Sequence, residues 1–255
     1  MEISPFLLTK PYESYKIKAR YNVTVRNFKE SEDRPLYTTH VSTGLDFVAL
    51  NEHECALSGI GACKDSNIVI PAQHMGRNVT KIADMAFAHN HDIVSIMVPP
   101  CVKEIGDYAF AWCHNLHAVT LENHGVQMIG ERCFIGCDKL TQLYLGDNLT
   151  TIGEKAFAFC SSIRTLALPY GTRMVGHSAF EGCRSLETVI LPETLNALPN
   201  NMFGACISLT SVSLSSLTRS IGYYAFSYCR NLRHINVGNA MVDEQAFYGC
   251  ESLAS

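Results

Sequence analysis

The chain has 255 residues, a formal net charge of −4, and 47% hydrophobic against 17% charged residues. That is ample material for a core and argues against wholesale disorder, while a weakly acidic balance gives no global field for collecting nucleic acid or anionic lipid. No apolar run approaches the roughly 18 residues that span a bilayer, and Glu2 stands where a signal peptide carries positive charge.

The chain as written therefore reads as cytoplasmic, with the cell surface or secretion as the alternative if an export signal was removed. Residues 15–26, YKIKARYNVTVR, alternate without error between Tyr15, Ile17, Ala19, Tyr21, Val23 and Val25 and a polar, largely basic set. This predicts a half-buried strand whose cations form a solvated face or an anion site. Residues 1–44 are expected to be a strand-rich amino-terminal segment. Next, GLDFVALNEHECALSGIG sets two apolar runs around Asn51-Glu52-His53-Glu54, the pattern of a hairpin. NIVIP at 67–71 reads as the end of a repeat without its first half. Residues 45–80 are expected to close the first edge of a stack, as terminal units of repeat proteins do.

From residue 81 to 255 one pattern recurs. Phe87, Phe110, Phe134, Phe157, Phe180, Phe203, Phe226 and Phe247 are spaced by 23, 24, 23, 23, 23, 23 and 21 residues. Self-similarity at such a period marks a stacked solenoid, because a unit with one apolar edge buries it only against copies of itself. Three residues after Phe comes Cys in seven units, and six after it an aliphatic. Nine and eleven after it come two more, such as Val119 with Leu121, whose alternation predicts a short strand. Ile105, Ala109, Cys113 and Leu116 are spaced by four, four and three, which predicts a helical turn before each strand.

IGDYAFAWCHNLHAVTL and IGEKAFAFCSSIRTLALP resemble the BspA-like subclass of leucine-rich repeats over about residues 68 to 255. Asn90 departs from the pattern at the Cys position, Cys133 and Met202 at the Ala position, and Pro199 at the Gly position. The resemblance implies a horseshoe-like α/β leucine-rich repeat solenoid, with short strands, helical turns and an amino-terminal β-rich cap. It would hold about eight repeats of ~23 residues over 81–255, the last incomplete. It also implies a non-enzymatic, surface-associated or secreted protein-binding protein of adhesive type, its partners including glycoproteins and matrix components. An intracellular scaffold or sensory module, or the targeting arm of a larger enzyme, is the alternative.

A catalytic or cofactor site is not expected. No Gly-rich phosphate loop, H-E-x-x-H or G-x-S-x-G occurs, and Glu131, Glu154, Glu181, Glu187 and Glu193 fall in different columns. The cysteines lie 21 to 24 residues apart, unlike paired zinc ligands, and read as a column of small buried hydrophobes. His91 and His114 should sit side by side, with His89, His117 and His124 near in sequence. They are either an exposed row or, if three or four converge, a zinc site. Trp112 is expected to pack on the side away from the strands. The sequons at Asn22, Asn78 and Asn148 carry no weight without an export signal.

If the strands line a concave sheet, their outward positions fall eight and ten residues after each Phe. These rows are small, neutral and hydroxyl-rich, and Tyr144, Ile190 and Met97 are their only large groups. Hot spots favour large rigid side chains, so Tyr144 leads the candidate contact set, with Gln142 and Ile190 beside it and Met97, His234 and Asn236 further out. Membrane span, nucleic acid, metal and cofactor are not among the expected partners, and the oligomeric state is not readable.

Overall fold

A computed structural model describes residues 41–122 and 124–253. The expected strand over 15–26 and the segment 1–40 lie outside the described residues. Among the described residues every regular element is a strand. The first five are β1 (Asp46–Ala49), β2 (Glu54–Gly59), β3 (Asn67–Val69), β4 (Gln73–His74) and β5 (Arg77–Ile82). Thereafter each repeat contributes one strand to each of two ladders.

The first ladder follows the Phe turn and, after β3, comprises β6 (Ser95–Val98), β8 (Ala118–Leu121), β10 (Gln142–Tyr144) and β12 (Thr165–Ala167). It continues with β14 (Thr188–Ile190), β16 (Ser211–Ser213) and β18 (His234–Ile235). The second precedes the turn and, after β5, comprises β7 (Glu104–Ile105), β9 (Met128–Ile129), β11 (Thr151–Ile152) and β13 (Met174–Val175). It ends with β15 (Ala197–Leu198), β17 (Ser220–Ile221) and β19 (Met241–Val242). Except between β10 and β12 and between β13 and β15, neighbours within both ladders pair in parallel, as a continuous coil requires.

The result is a leucine-rich repeat β-solenoid of about eight turns, and the expected helical turns are absent from the described residues. The α/β reading is corrected to all-β for a backbone reason. In every repeat the residues two before and two after Phe have φ near +60°, for example Lys155 at 53° and Phe159 at 61°. Left-handed residues at a four-residue interval cannot be accommodated in an α-helix. They suit successive tight turns of the type that needs φ > 0 at the third residue. Around Phe157, Ala156 N donates to Gly153 O, Ala158 N to Lys155 O and Cys160 N to Phe157 O, each within the turn. The intervening N–H groups of Lys155, Phe157 and Phe159 donate to His177, Ala179 and Glu181 of the next repeat. Alternate amides thus stitch neighbouring coils together. The four-four-three spacing is real, but reversing turns, not helical pitch, aim Ile, Ala, Cys and Leu inward.

The described residues do not support a separate amino-terminal β-rich cap. β1 and β2 form an antiparallel hairpin, and β2 joins β5 in parallel as part of the second ladder's own sheet.

The core is a set of columns. Phe87 through Phe226 are buried to within 2% of complete exclusion, and consecutive rings stack with centroids 5.0–5.7 Å apart. Beside them, each column thiol donates a hydrogen bond to the Phe carbonyl of the preceding repeat: Cys113 Sγ to Phe87 O (3.1 Å), Cys183 Sγ to Phe157 O (3.3 Å) and Cys229 Sγ to Phe203 O (3.1 Å). The cysteines are therefore more than small hydrophobes. Asn90, which replaces the first of them, accepts from Asp92 N and Ile93 N instead and closes its own turn.

Candidate functional site

The first ladder brings the outward rows together in register. One row runs Asn67, Ser95, Ala118, Gln142, and its continuation is Thr165, Thr188, Ser211, His234. The other runs Val69, Met97, Thr120, Tyr144, then Ala167, Ile190, Ser213. Between them the inward row Ile68, Ile96, Val119, Leu166, Val189 and Val212 is buried. Period-two alternation has placed Met97, Gln142, Tyr144, Ile190 and His234 on one face.

They fall on two sheets. The ladder consists of two sheets, β3-β6-β8-β10 and β12-β14-β16-β18, with no strand pairing across β10 and β12. Met97, Gln142 and Tyr144 lie on the first, and Ile190 and His234 on the second. Asn236 follows β18, where its Oδ1 accepts from Gly238 N (3.0 Å) and holds a turn, so it serves the backbone. Tyr144 is 49% exposed and the largest side chain on the face, and Gln142 is exposed beside it. A nearly uncharged strip of hydroxyls around one Tyr can form a contact surface.

His91 and His114 stack at 5.4 Å, and His114 Nδ1 lies 2.9 Å from Asp138 Oδ1. Among the described residues no three His, Cys, Asp or Glu side chains converge as metal ligands. Trp112 lies on the turn edge with its ring over Gly136, whose φ is +71°. Two shallow hollows, of about 430 and 280 Å³, lie beside the second ladder. The larger is lined by Asp147, Thr150, Thr151, Arg173 and Met174, among others, and neither pairs carboxylates. Burial pushes the column thiols up, Cys113 and Cys183 to about 12, so they remain neutral donors and not nucleophiles.

One surface was missed by sequence reasoning. Tyr223, Tyr224, Tyr228 and Tyr248 cluster on the turn edge, with edge-on ring contacts at 4.1 Å (Tyr223–Tyr224), 6.0 Å (Tyr224–Tyr248) and 5.3 Å (Tyr228–Tyr248). Tyr223 Oη donates to Gln245 Oε1 (2.9 Å), and its hydroxyl, bonded to Tyr224, raises that phenol's pKa. These tyrosines occupy different columns, and Tyr248 joins the other three only when successive turns stack. The aromatic character of the column two residues after Phe was visible, but its partner one residue after Phe, Tyr248, was not singled out.

With the ladders and columns in place, the likeness to known proteins is specific. The sequence pattern of the BspA type leucine rich repeat region matches residues 62–145 and 127–254, in six copies. The chain belongs to the BspA type leucine-rich repeat family. A crystal structure of a leucine rich cell surface protein from Faecalibacterium prausnitzii A2-165 is 28% identical with a TM-score of 0.69. It covers 80% of this BspA type chain, which spans only 56% of that protein's length. Leucine-rich repeat proteins of T. pallidum (24% identity, TM-score 0.67, 74% of this chain and 88% of that one) and Bacteroides ovatus (23%, 0.63, 85% and 70%) share the fold. No curated protein matches the chain. Among the described residues no helix is long and apolar enough to cross a membrane.

Proposed function

We propose that this BspA type chain is a non-enzymatic binding protein of adhesive type that recognises a protein partner, glycoproteins and matrix components included, through its strand-lined face. The observation that carries this reading is the face itself: two registered rows of small hydroxyl side chains over a buried row, with Tyr144 projecting between Gln142 and the gap to β12. A rigid, ordered strip lowers the entropy lost on binding, and a lone large aromatic on it has the character of a hot spot. Its likeness to a protein described as a leucine rich cell surface protein supports a surface location. The eleven free cysteines favour the second reading, an intracellular scaffold, since reduced thiols are the norm in the cytosol.

The test is a pull-down from candidate matrix and host-surface proteins with the parent chain, Tyr144→Ala and Tyr248→Ala. Loss of the partner with Tyr144→Ala alone supports the strand-lined face. Loss with Tyr248→Ala alone moves the contact to the turn-edge tyrosines. Equal recovery with both removes both surfaces.

A further inference from the structure

The two strand ladders are interrupted once each, at different places. The first breaks between β10 and β12, and the second between β13 and β15. The Phe turns run through both points without interruption: Phe134 N donates to Ala156 O, Phe157 N to Ala179 O, Phe180 N to Met202 O, and the rings stay stacked. One edge of the solenoid is therefore a continuous spine, and the other two carry a gap.

The second gap has a local cause. At other junctions of this ladder, the residue four before Phe donates its N–H to the preceding repeat: Gly106 to Ile82, Gly130 to Ile105, Gly153 to Ile129, Gly176 to Ile152 and Gly222 to Leu198, all at 2.8–2.9 Å. Ala83 and Asp243 make the same bond, so a Cβ at this position is compatible with it. Pro199 occupies the position at the broken junction, and proline has no N–H to give. The Val175 carbonyl loses its partner. No proline accounts for the first gap.

Exposure marks the same two points. In the inward row of the first ladder, Leu143 is only partly buried, while Ile96, Val119, Leu166, Val189 and Val212 are buried. In the second, Val175 is only partly buried, while Ile105, Ile129, Ile152, Leu198 and Ile221 are buried. Apart from these two, loosened members occur only in the last coil, at Ile235 and Val242. Leu143 and Val175 thus have the environment of an open end in the middle of the stack.

We propose that residues 151–175 form a built-in hinge. Within that segment β11 and β13 complete the amino-terminal sheet while β12 begins the carboxyl-terminal one, so the segment belongs to both blocks. At each gap the coils open about the Phe spine and the opposite ladder, which stays paired there: β9–β11 beside the first gap and β14–β16 beside the second. At the second gap the bonds from Thr194 Oγ1 to Tyr170 O and Thr172 O have to give as well. The hinge rests on backbone hydrogen bonding and stands whether or not the strand-lined face is the binding surface. Its consequence for that face is that Tyr144 and Ile190 change their separation as the blocks move.

Paired spin labels at Met128→Cys (β9) and Ser220→Cys (β17), with Cys101→Ser and Cys250→Ser to remove the two partly accessible thiols, straddle the second gap by four coils, about 19 Å at regular strand spacing. A broad distance distribution that loses its long component in Pro199→Ala, where the N–H is restored, supports the hinge. Gly176→Pro, which deletes a bond at an intact junction, should broaden the distribution further. Far-ultraviolet circular dichroism matching the parent certifies that each variant is folded. A single narrow distance in the parent, or a width that Pro199→Ala leaves unchanged in the folded protein, overturns the proposal.

Discussion

Phe157→Ala is the perturbation that separates packing from cooperativity in this solenoid. The ring is fully excluded from water and stacks on Phe134 at 5.1 Å and Phe180 at 5.4 Å. Deleting such a ring costs about 3–5 kcal/mol, through lost transfer energy and the cavity left behind. For a chain of this size that lowers Tm by roughly 6–20 °C. Phe110 is equally buried and stacks at 5.0 Å on both sides, so the same loss is expected for Phe110→Ala. The two variants should differ in the shape of the transition. Both ladders are continuous around Phe110, whereas beside Phe157 the first ladder is already broken, which leaves the spine and the β9–β11 pairing as the tie between the coils. In a nearly one-dimensional stack, weakening that tie uncouples the blocks. Calorimetry should show two transitions for Phe157→Ala, with a van't Hoff enthalpy below the calorimetric one, and a single broader departure from the parent for Phe110→Ala. Phe247, partly buried and stacked on one side only (5.4 Å from Phe226), should cost about half as much on truncation. A loss at Phe157 no greater than at Phe247 would refute the column argument, and identical single transitions at Phe157 and Phe110 would refute the uncoupling.

Three further predictions concern the thiol column and the turn edge. In native protein a thiol reagent should modify the partly accessible Cys101 and Cys250 and leave Cys113, Cys137, Cys160, Cys183, Cys206 and Cys229 intact until the chain unfolds, as mass spectrometry of labelled peptides would show. Because folding raises these thiol pKa values, Cys113 and Cys183 to about 12, the folded state holds protons that the unfolded chain releases above about pH 8.5. Stability is then fully present below that pH and falls as pH rises toward 12, which denaturant midpoints across the range would reveal. Gly136→Ala should destabilise, because a Cβ there would lie 2.1 Å from the Trp112 ring. Adding Trp112→Ala should recover part of the loss, since left-handed non-glycine residues occupy the same position in other coils. A double-mutant cycle with no coupling would discard the aromatic-on-glycine contact.

The repeat register, the buried columns and the outward rows were legible in the sequence. Phe at a fixed period, with apolar residues six, nine and eleven positions later, has one economical solution, and alternation across a strand assigns each side chain to a face. The turns were misread because inward residues spaced by four, four and three satisfy a helix and a chain of reversing turns equally well. What decides between them is where alternate amides find acceptors, and those acceptors belong to the next coil. The thiol donors were invisible for the same reason: Cys113 bonds a carbonyl 26 residues earlier.

The candidate face shows the same division. Tyr144, Gln142 and Met97 could be placed on one surface from period two alone. Their separation from Ile190 and His234 could not, because a gap in pairing is a relation between coils. Pro199 was noticed as a departure from the glycine column, yet its effect, an unpaired Val175 carbonyl and a split sheet, depends on what lies across the junction. The sequence by itself determined the module, its period and the side chains facing inward, since those follow from local alternation and the need to bury an apolar edge. The tertiary structure alone decided how well each coil bonds its neighbour, because hydrogen bonds and ring contacts between coils join residues that the chain keeps more than twenty positions apart.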